Sequence, residues 1–266
     1  RVPMARQTGT VLITGSNRGI GLEFVKQYLL LNWEVRATCR NPADAVALKK
    51  LSVDNPNLIL HTLDITNESS IDSLLKEIGD WPLDLLINNA AYLGLPNPQK
   101  FGQIDYQMFT RSFEVNAIGP IRVTEKLIKN VRQGNMKKII FLGSAAGSIA
   151  QIAPPVTLYS YRASKAALHM SVHNLYHELK PEKIMVSLIN PGLVDTRGFL
   201  ALQPDDPIPE RLSKIVPIEL IQMIQDGKIP MITTLESVTQ MIHYIENLTT
   251  ESLPLFVNCD GTPMPW

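Results

Sequence analysis

The chain has 266 residues, 45% hydrophobic and 19% charged, which suffices for one sizeable core and fits a single α/β domain over residues 1–266. Its 25 Lys and Arg balance 25 Asp and Glu, so nothing electrostatic draws it toward nucleic acid or an anionic membrane, and neither is expected as a partner. No apolar run approaches the roughly eighteen residues of a membrane span, and Arg1–Thr10 lacks the apolar centre of a signal peptide, so a soluble, cytoplasmic protein is expected, with residues 1–7 as a loose leader. Cys39 and Cys259 have no metal-ligand spacing, and no metal is expected.

In chain order, the β-branched apolar run at 10–14 predicts a strand, and the apolar periodicity of Phe24, Tyr28 and Leu31 predicts a helix. Between them Gly15, Gly19 and Gly21 permit a tight turn that lets helix N-terminal N–H groups approach a phosphate. The spacing is G-x3-G-x-G, unlike the more familiar G-x-G-x-x-G, and a purely structural glycine turn is the competing interpretation. A second strand, Trp33–Cys39, ends beside Arg40, and Asn41 with Pro42 opens the next helix. NAD sites carry an acid at this strand end, whereas an arginine accommodates a 2′-phosphate. Thr38, Cys39 and Arg40 supply no carboxylate and Arg18 adds a second cation, so NADP is preferred unless Arg40 is simply a solvated surface arginine.

Leu58–Leu63 is a third strand, followed by Asp64 and a helix through Ile71, Leu74, Leu75 and Ile78; Asp64 either accepts from an adenine amino group or closes a turn. A fourth strand, Leu83–Asn89, runs into Asn88 and Asn89, whose amides either brace neighbouring strands or face a ligand. Phe101–Gly134 is helical in pattern, but Pro120 cannot donate to the helix ladder, which predicts a kink near Asn116. A fifth strand, Lys138–Leu142, delivers Ser144 at its end, and a loop with Pro154 and Pro155 leads to a helix through Leu168, Val172 and Leu179.

That helix begins with Tyr161 and Lys165, four positions apart and so on one face. A neighbouring ammonium favours a phenolate, which brings the tyrosine toward acid–base work near neutral pH; the alternative is an ordinary surface contact. The sixth strand, Ile184–Ile189, ends in Asn190, Pro191 and Gly192. From 195 to 230 the alternation gives way to Pro204, Pro207 and Pro209 and an apolar helix, Ile215–Ile224, read as a substrate lid or a subunit contact; it lacks the basic face of a membrane anchor. Thr233 and Glu236 make a capping box for a last helix, and Leu255–Val257 is the seventh strand.

Near-continuous apolar strands alternating with helices predict a Rossmann-type, doubly wound parallel sheet of seven strands with helices on both faces. Gly15, Asp64, Asn89, Ser144 and Pro191 all fall at strand C-termini, the edge at which such sheets bind ligands.

These motifs together resemble the short-chain dehydrogenase/reductase family: Thr14 with Gly15, Gly19, Ile20 and Gly21, then Asp64, Asn88 to Ala90, Asn116, Ser144, Tyr161 with Lys165, and Pro191 and Gly192 with Thr196. Gly147 to Ile149, Tyr159 to Lys165 and the closing Asp260–Trp266 look like the subgroup of sniffer-type carbonyl reductases and C-factor-like proteins. The resemblance implies a tetrad in which Tyr161 protonates a carbonyl, Lys165 lowers its pKa and holds the nicotinamide ribose, Ser144 bonds the same oxygen and Asn116 holds a relay water. It further implies that NADPH lies on Gly15, Asn17, Arg18, Gly19, Ile20 and Gly21, on Arg40, Asp64 and Ile65, on Asn89 and Ala90, and on Pro191, Gly192, Val194 and Thr196, besides Tyr161 and Lys165.

Tyr159 and Ser148 are the competing tyrosine and serine, and Ala91 stands where the family has glycine. The implied activity is NADPH-dependent reduction of an aldehyde, ketone or quinone in a homodimer or homotetramer. Reduction of an acyl thioester, steroid or pteridine is the second enzymatic expectation, and an NADPH-binding regulator without turnover the third.

Overall fold

A computed structural model describes residues 8–94, 99–152, 157–203, 205–214, 216 and 218–266. The expected leader, the Pro154 and Pro155 loop, Pro204 and Ile215 lie outside them.

Seven strands form the central sheet: β1 (Thr10–Ile13), β2 (Glu34–Cys39), β3 (Leu58–Thr62), β4 (Leu85–Asn88), β5 (Lys138–Leu142), β6 (Met185–Asn190) and β9 (Phe256–Asn258). Their order is β3-β2-β1-β4-β5-β6-β9, and every pairing is parallel. Two residues per pleat repeat sort the strands between two cores. Val11 and Ile13 of β1 pack on one face with Ile87, Ile140, Ile189 and Val257, while Leu12 turns to the other with Leu86, Phe141, Leu188 and Phe256.

Each face is closed by helices whose apolar stripes match it. On the first lie α1 (Gly19–Leu30), through Phe24, Val25 and Tyr28, and α9 (Thr234–Asn247), through Val238, Met241, Ile242 and Ile245. On the second lie α3 (Glu68–Ile78), α5 (Gly119–Gln133) and α6 (Tyr159–Leu179), contributing Ile71, Leu74, Val123, Leu127, Leu168 and Val172. The expected capping box is present: Thr233 Oγ1 accepts from the Glu236 N–H at 3.1 Å and the Glu236 carboxylate accepts from the Thr233 N–H at 2.8 Å. Among the described residues no helix is long and apolar enough to cross a membrane.

Two expectations change. A short 3₁₀ turn at Pro42–Asp44 precedes α2 (Val46–Asp54), so Pro42 opens the turn and not the helix. The stretch expected to be helical from Phe101 starts only at α4 (Tyr106–Phe113), because the Asp105 carboxylate caps it by accepting from Gln107 and Met108 N–H groups. It then passes through a π-turn, Glu114–Ile118, before α5. Pro120 is four residues beyond Asn116 and has no N–H, so the α-ladder donor for the Asn116 carbonyl is missing, and Gly119 N–H reaches back five residues to Glu114.

The insertion carries α7 (Glu210–Ser213) and α8 (Ile218–Gln225) around a small core of Phe199, Leu212, Ile221 and Ile224. Its ends are joined by two strands no periodicity suggested, β7 (Val194–Asp195) and β8 (Ile232–Thr233), paired in parallel.

Candidate active site

Because all seven strands run the same way, their C-termini bring Gly15, Arg40, Asp64, Asn89, Ser144 and Pro191 to one edge of the sheet. The first part of the site is a cleft of about 1040 Å³ along that edge. Gly15, Asn17, Arg18, Gly19, Ile20, Arg40, Asp64, Ile65, Asn89, Ala90 and Thr196 line it, as does the exposed Ala91. Gly21, Pro191, Gly192, Val194 and the four residues of the expected tetrad are not part of its lining.

The floor of the cleft is built by close backbone packing. Gly15 and Gly19 have φ of +64° and +56°, which favour glycine. At Gly21 a Cβ would stand 2.2 Å from the Gly15 carbonyl oxygen and 2.5 Å from Asn89 Nδ2. Asn89 Nδ2 donates to the carbonyls of Thr14 and Gly15 at 3.0 Å each, and Thr14 Oγ1 accepts from the N–H groups of Asn89 and Ala90, also at 3.0 Å. Asn88 Nδ2 donates to Thr124 Oγ1 at 3.0 Å, tying β4 to α5. Asn88 therefore braces, whereas Asn89 both braces the turn and lines the cleft.

The electrostatics of the cleft favour an anion with extra negative charge. Arg18 and Arg40 are exposed on its lining and make no ion pair among the described residues. Asp64 Oδ1 accepts from Thr66 N–H at 2.9 Å and Thr66 Oγ1 at 2.7 Å, closing a turn. Burial pushes its carboxyl up, but those bonds and the charges of Arg40 and Arg111 outweigh burial and hold it below the usual range.

A dinucleotide with a 2′-phosphate fits this chemistry: a turn with no room for a Cβ faces an anion's path, and cations stand where an NAD site would carry an acid.

The second part of the site lies at the end of β5. The Ser144 hydroxyl lies near enough to the Tyr161 phenol to act on its ionisation. Lys165 is buried one turn farther along α6, its Nζ 5.9 Å from the Tyr161 ring centroid and donating to the Leu142 carbonyl at 2.9 Å. Of the competing residues, Tyr159 is exposed, and Ser148 is buried with no hydrogen-bond partner for its hydroxyl among the described residues.

The expected net depression of the Tyr161 pKa is not what the fold gives: burial pushes the phenol above its ordinary value, and the neighbouring Ser144 hydroxyl works against that rise. Burial also pulls the Lys165 ammonium down to about 8. Desolvation is the largest cause for each group. The Asn116 side chain is likewise committed elsewhere, accepting from Tyr92 N–H at 2.7 Å and donating to the Tyr92 carbonyl at 2.8 Å and to Ser164 Oγ at 3.0 Å. Its main-chain carbonyl lies at the π-turn, where Pro120 supplies no N–H to the α-ladder.

Long-range contacts supply what no spacing revealed. Gln99, fully buried, accepts from Ser160 Oγ at 2.8 Å and Tyr161 N–H at 3.2 Å, capping α6 from 62 residues away. His169 Nε2 accepts from Ser144 N–H at 3.3 Å, and its ring fills the space beneath Gly143 and Gly147, where a Cβ would approach it to 2.9 and 2.7 Å. Burial and then the Lys165 charge lower the His169 pKa to about 3, so the ring is neutral.

Thus the fold and the site define a dinucleotide-dependent oxidoreductase of α/β type. The short chain dehydrogenase profile matches residues 9–206, and the chain belongs to that family. It is 32% identical over 185 residues to C-signal of Myxococcus xanthus, across 70% of this chain and 93% of that protein. Among solved structures it is similar to the NADPH-bound carbonyl reductase from chicken fatty liver, with a TM-score of 0.77 and 27% identity over 97% of this chain and 98% of that one. Carbonyl reductase Sniffer of D. melanogaster superposes with a TM-score of 0.78 and 25% identity over 98% and 100%.

Proposed function

We propose that this protein reduces a carbonyl of an aldehyde, ketone or quinone to an alcohol with NADPH, on a single domain whose 195–230 insertion covers the substrate. One observation carries the reading: Tyr161 stands beside buried Lys165, with Ser144 acting on its phenol, on the same sheet edge as a cationic dinucleotide cleft. The likeness to an NADPH-bound carbonyl reductase supports it.

NADPH supplies the hydride when bound, and the protein's contribution is position, charge and a proton. The glycine turn and α1 receive its pyrophosphate, and Arg40 with Arg18 the 2′-phosphate. Ser144 Oγ donates to the substrate oxygen and holds it against Tyr161 Oη. As the hydride reaches the carbonyl carbon, Tyr161 gives its proton to that oxygen and becomes a phenolate. Burial, which raises its pKa, keeps Tyr161 protonated at neutral pH, the form that reduction needs. Lys165, ionising at about 8, stabilises the phenolate and returns a proton to it, and the Asn116 main-chain carbonyl is an acceptor for water on that route.

NADPH oxidation against a panel of aldehydes, ketones and quinones, in the parent and in Tyr161→Phe, tests this reading. Turnover should fall by about 10²–10⁴-fold in the variant, the usual worth of a positioned proton donor, with NADPH binding retained. Equal turnover in both would refute Tyr161 as the acid. NADPH binding by the parent without turnover across the panel would favour a nucleotide-binding regulator.

A further inference from the structure

The stretch Asp260–Trp266 takes no part in the hydride or proton transfer, but it doubles back along β9, the strand at one edge of the sheet. Asp260 Oδ1 closes the turn by accepting from Thr262 N–H at 3.0 Å and Thr262 Oγ1 at 2.7 Å. Asn258 N–H then donates to the Thr262 carbonyl at 2.8 Å and Met264 N–H to the Phe256 carbonyl at 3.0 Å. Met264 is buried in the core that Phe256 fills, and Trp266 is delivered to α6.

The Trp266 indole lies across one turn of that helix. It stacks on His173 with centroids 5.0 Å and planes 7° apart, meets His169 edge-on at 6.4 Å and stands 5.5 Å from Phe256. His169 is in turn 4.5 Å from Phe256. Aromatic pairs at these separations fix orientation as well as bury area. His169 is the ring that accepts from Ser144 N–H and fills the space beneath Gly143 and Gly147. Trp266 also reaches the loop after Ser144 through its main chain: its carbonyl accepts from Ala150 N–H at 2.8 Å. Ile149 and Ala150 are exposed, so a hydrogen bond and not packing fixes that end of the loop. Segment 144–150 is thus held at its first amide by His169 and at its last by Trp266. With 41% of its surface exposed, Trp266 is poorly employed as core filling alone.

Resting on the reading of Ser144 as the residue that holds the substrate oxygen, we propose that Trp266 is a positioning residue for Ser144. It holds the 144–150 loop at both ends, through the His169 ring and through Ala150 N–H. Trp266 is not part of the cleft lining, so its effect falls on the chemical step and not on NADPH affinity.

The test compares the parent with Trp266→Ala and Trp266→Phe, with Trp266→Leu replacing the alanine variant if thermal melts show that one unfolded. Hydrogen exchange is followed on peptides covering 143–150 and 10–21. Trp266→Ala should speed exchange across 143–150 by about tenfold and leave 10–21 as in the parent, because local opening reports the hold on that loop. In NADPH oxidation with a substrate of the parent, kcat should fall by about tenfold, a moderate cost for loosening an oriented group, with the NADPH Kd unchanged. Trp266→Phe, which keeps a ring on His173, should recover most of both. In a Ser144→Ala background, Trp266→Ala should lower kcat no further, since the residue it positions is gone. Unchanged exchange across 143–150 overturns the proposal, and so does a loss of kcat that persists undiminished in the Ser144→Ala background. A parent without turnover refutes the reduction itself, while the exchange comparison still decides whether Trp266 holds the loop.

Discussion

Replacing His169 should remove a built-in acid sensitivity. In the folded chain the ring ionises at about 3, because protonating it would bury a second cation beside Lys165 and abolish the bond that Nε2 accepts from Ser144 N–H. In the unfolded chain it ionises near 6.5. A depressed folded pKa contributes stability that is fully present above 6.5 and lost as pH falls toward 3. Between pH 7 and pH 4.5 the unfolded ring takes up a proton that the folded ring refuses, which removes about 2.5 kcal/mol of stability.

His169→Asn keeps a side-chain acceptor for Ser144 but cannot titrate. Urea unfolding at pH 7 and pH 4.5 should show the parent losing about 2.5 kcal/mol more than the variant between the two conditions, since every other titrating group is common to both. The comparison is of losses between the two pH values, so a variant less stable at pH 7 through its smaller side chain does not blur it. Equal losses in the two proteins would refute a neutral, buried His169.

Two further outcomes follow from the cleft. Arg40→Asp should weaken NADPH by about tenfold or more while sparing or improving NADH, because a carboxylate there repels the 2′-phosphate and accepts from a 2′-hydroxyl; parallel titrations with the two cofactors check it. Gly21→Ala should lower the unfolding free energy by about 1–3 kcal/mol, the usual cost of overpacking, since its methyl meets the Gly15 carbonyl and Asn89 at less than contact distance; denaturant melts measure it.

The parts of this molecule legible in sequence are those whose cause is local. Short apolar-rich runs of four or five residues at 10–13, 85–88 and 138–142 read as buried strands, and the glycine spacing named the turn between β1 and α1. Pro120 announced the disturbance at Asn116 because a missing N–H acts four residues away. Positioning of the reacting groups was not legible. Gln99 reaches Tyr161 across 62 residues and His169 reaches Ser144 across 25, and no spacing rule links a glutamine in one loop to a helix start in another. The Tyr161 pKa was misread for a related reason: four-residue spacing reports proximity to Lys165, whereas burial, which depends on the whole fold, sets the direction.

The clamp made by β7 and β8 gives the insertion a particular independence. Val194 pairs with Ile232 and Asp195 with Thr233, so the chain leaves the body and returns to it at adjacent points. Ser237 Oγ, one turn into α9, fastens the return by donating to the Pro191 carbonyl at 2.6 Å. Whatever length of chain runs from 197 to 231, β6 and α9 see the same two ends. The stretch is therefore fastened to the body at a single point, so that a change in its length need not displace β6 or α9.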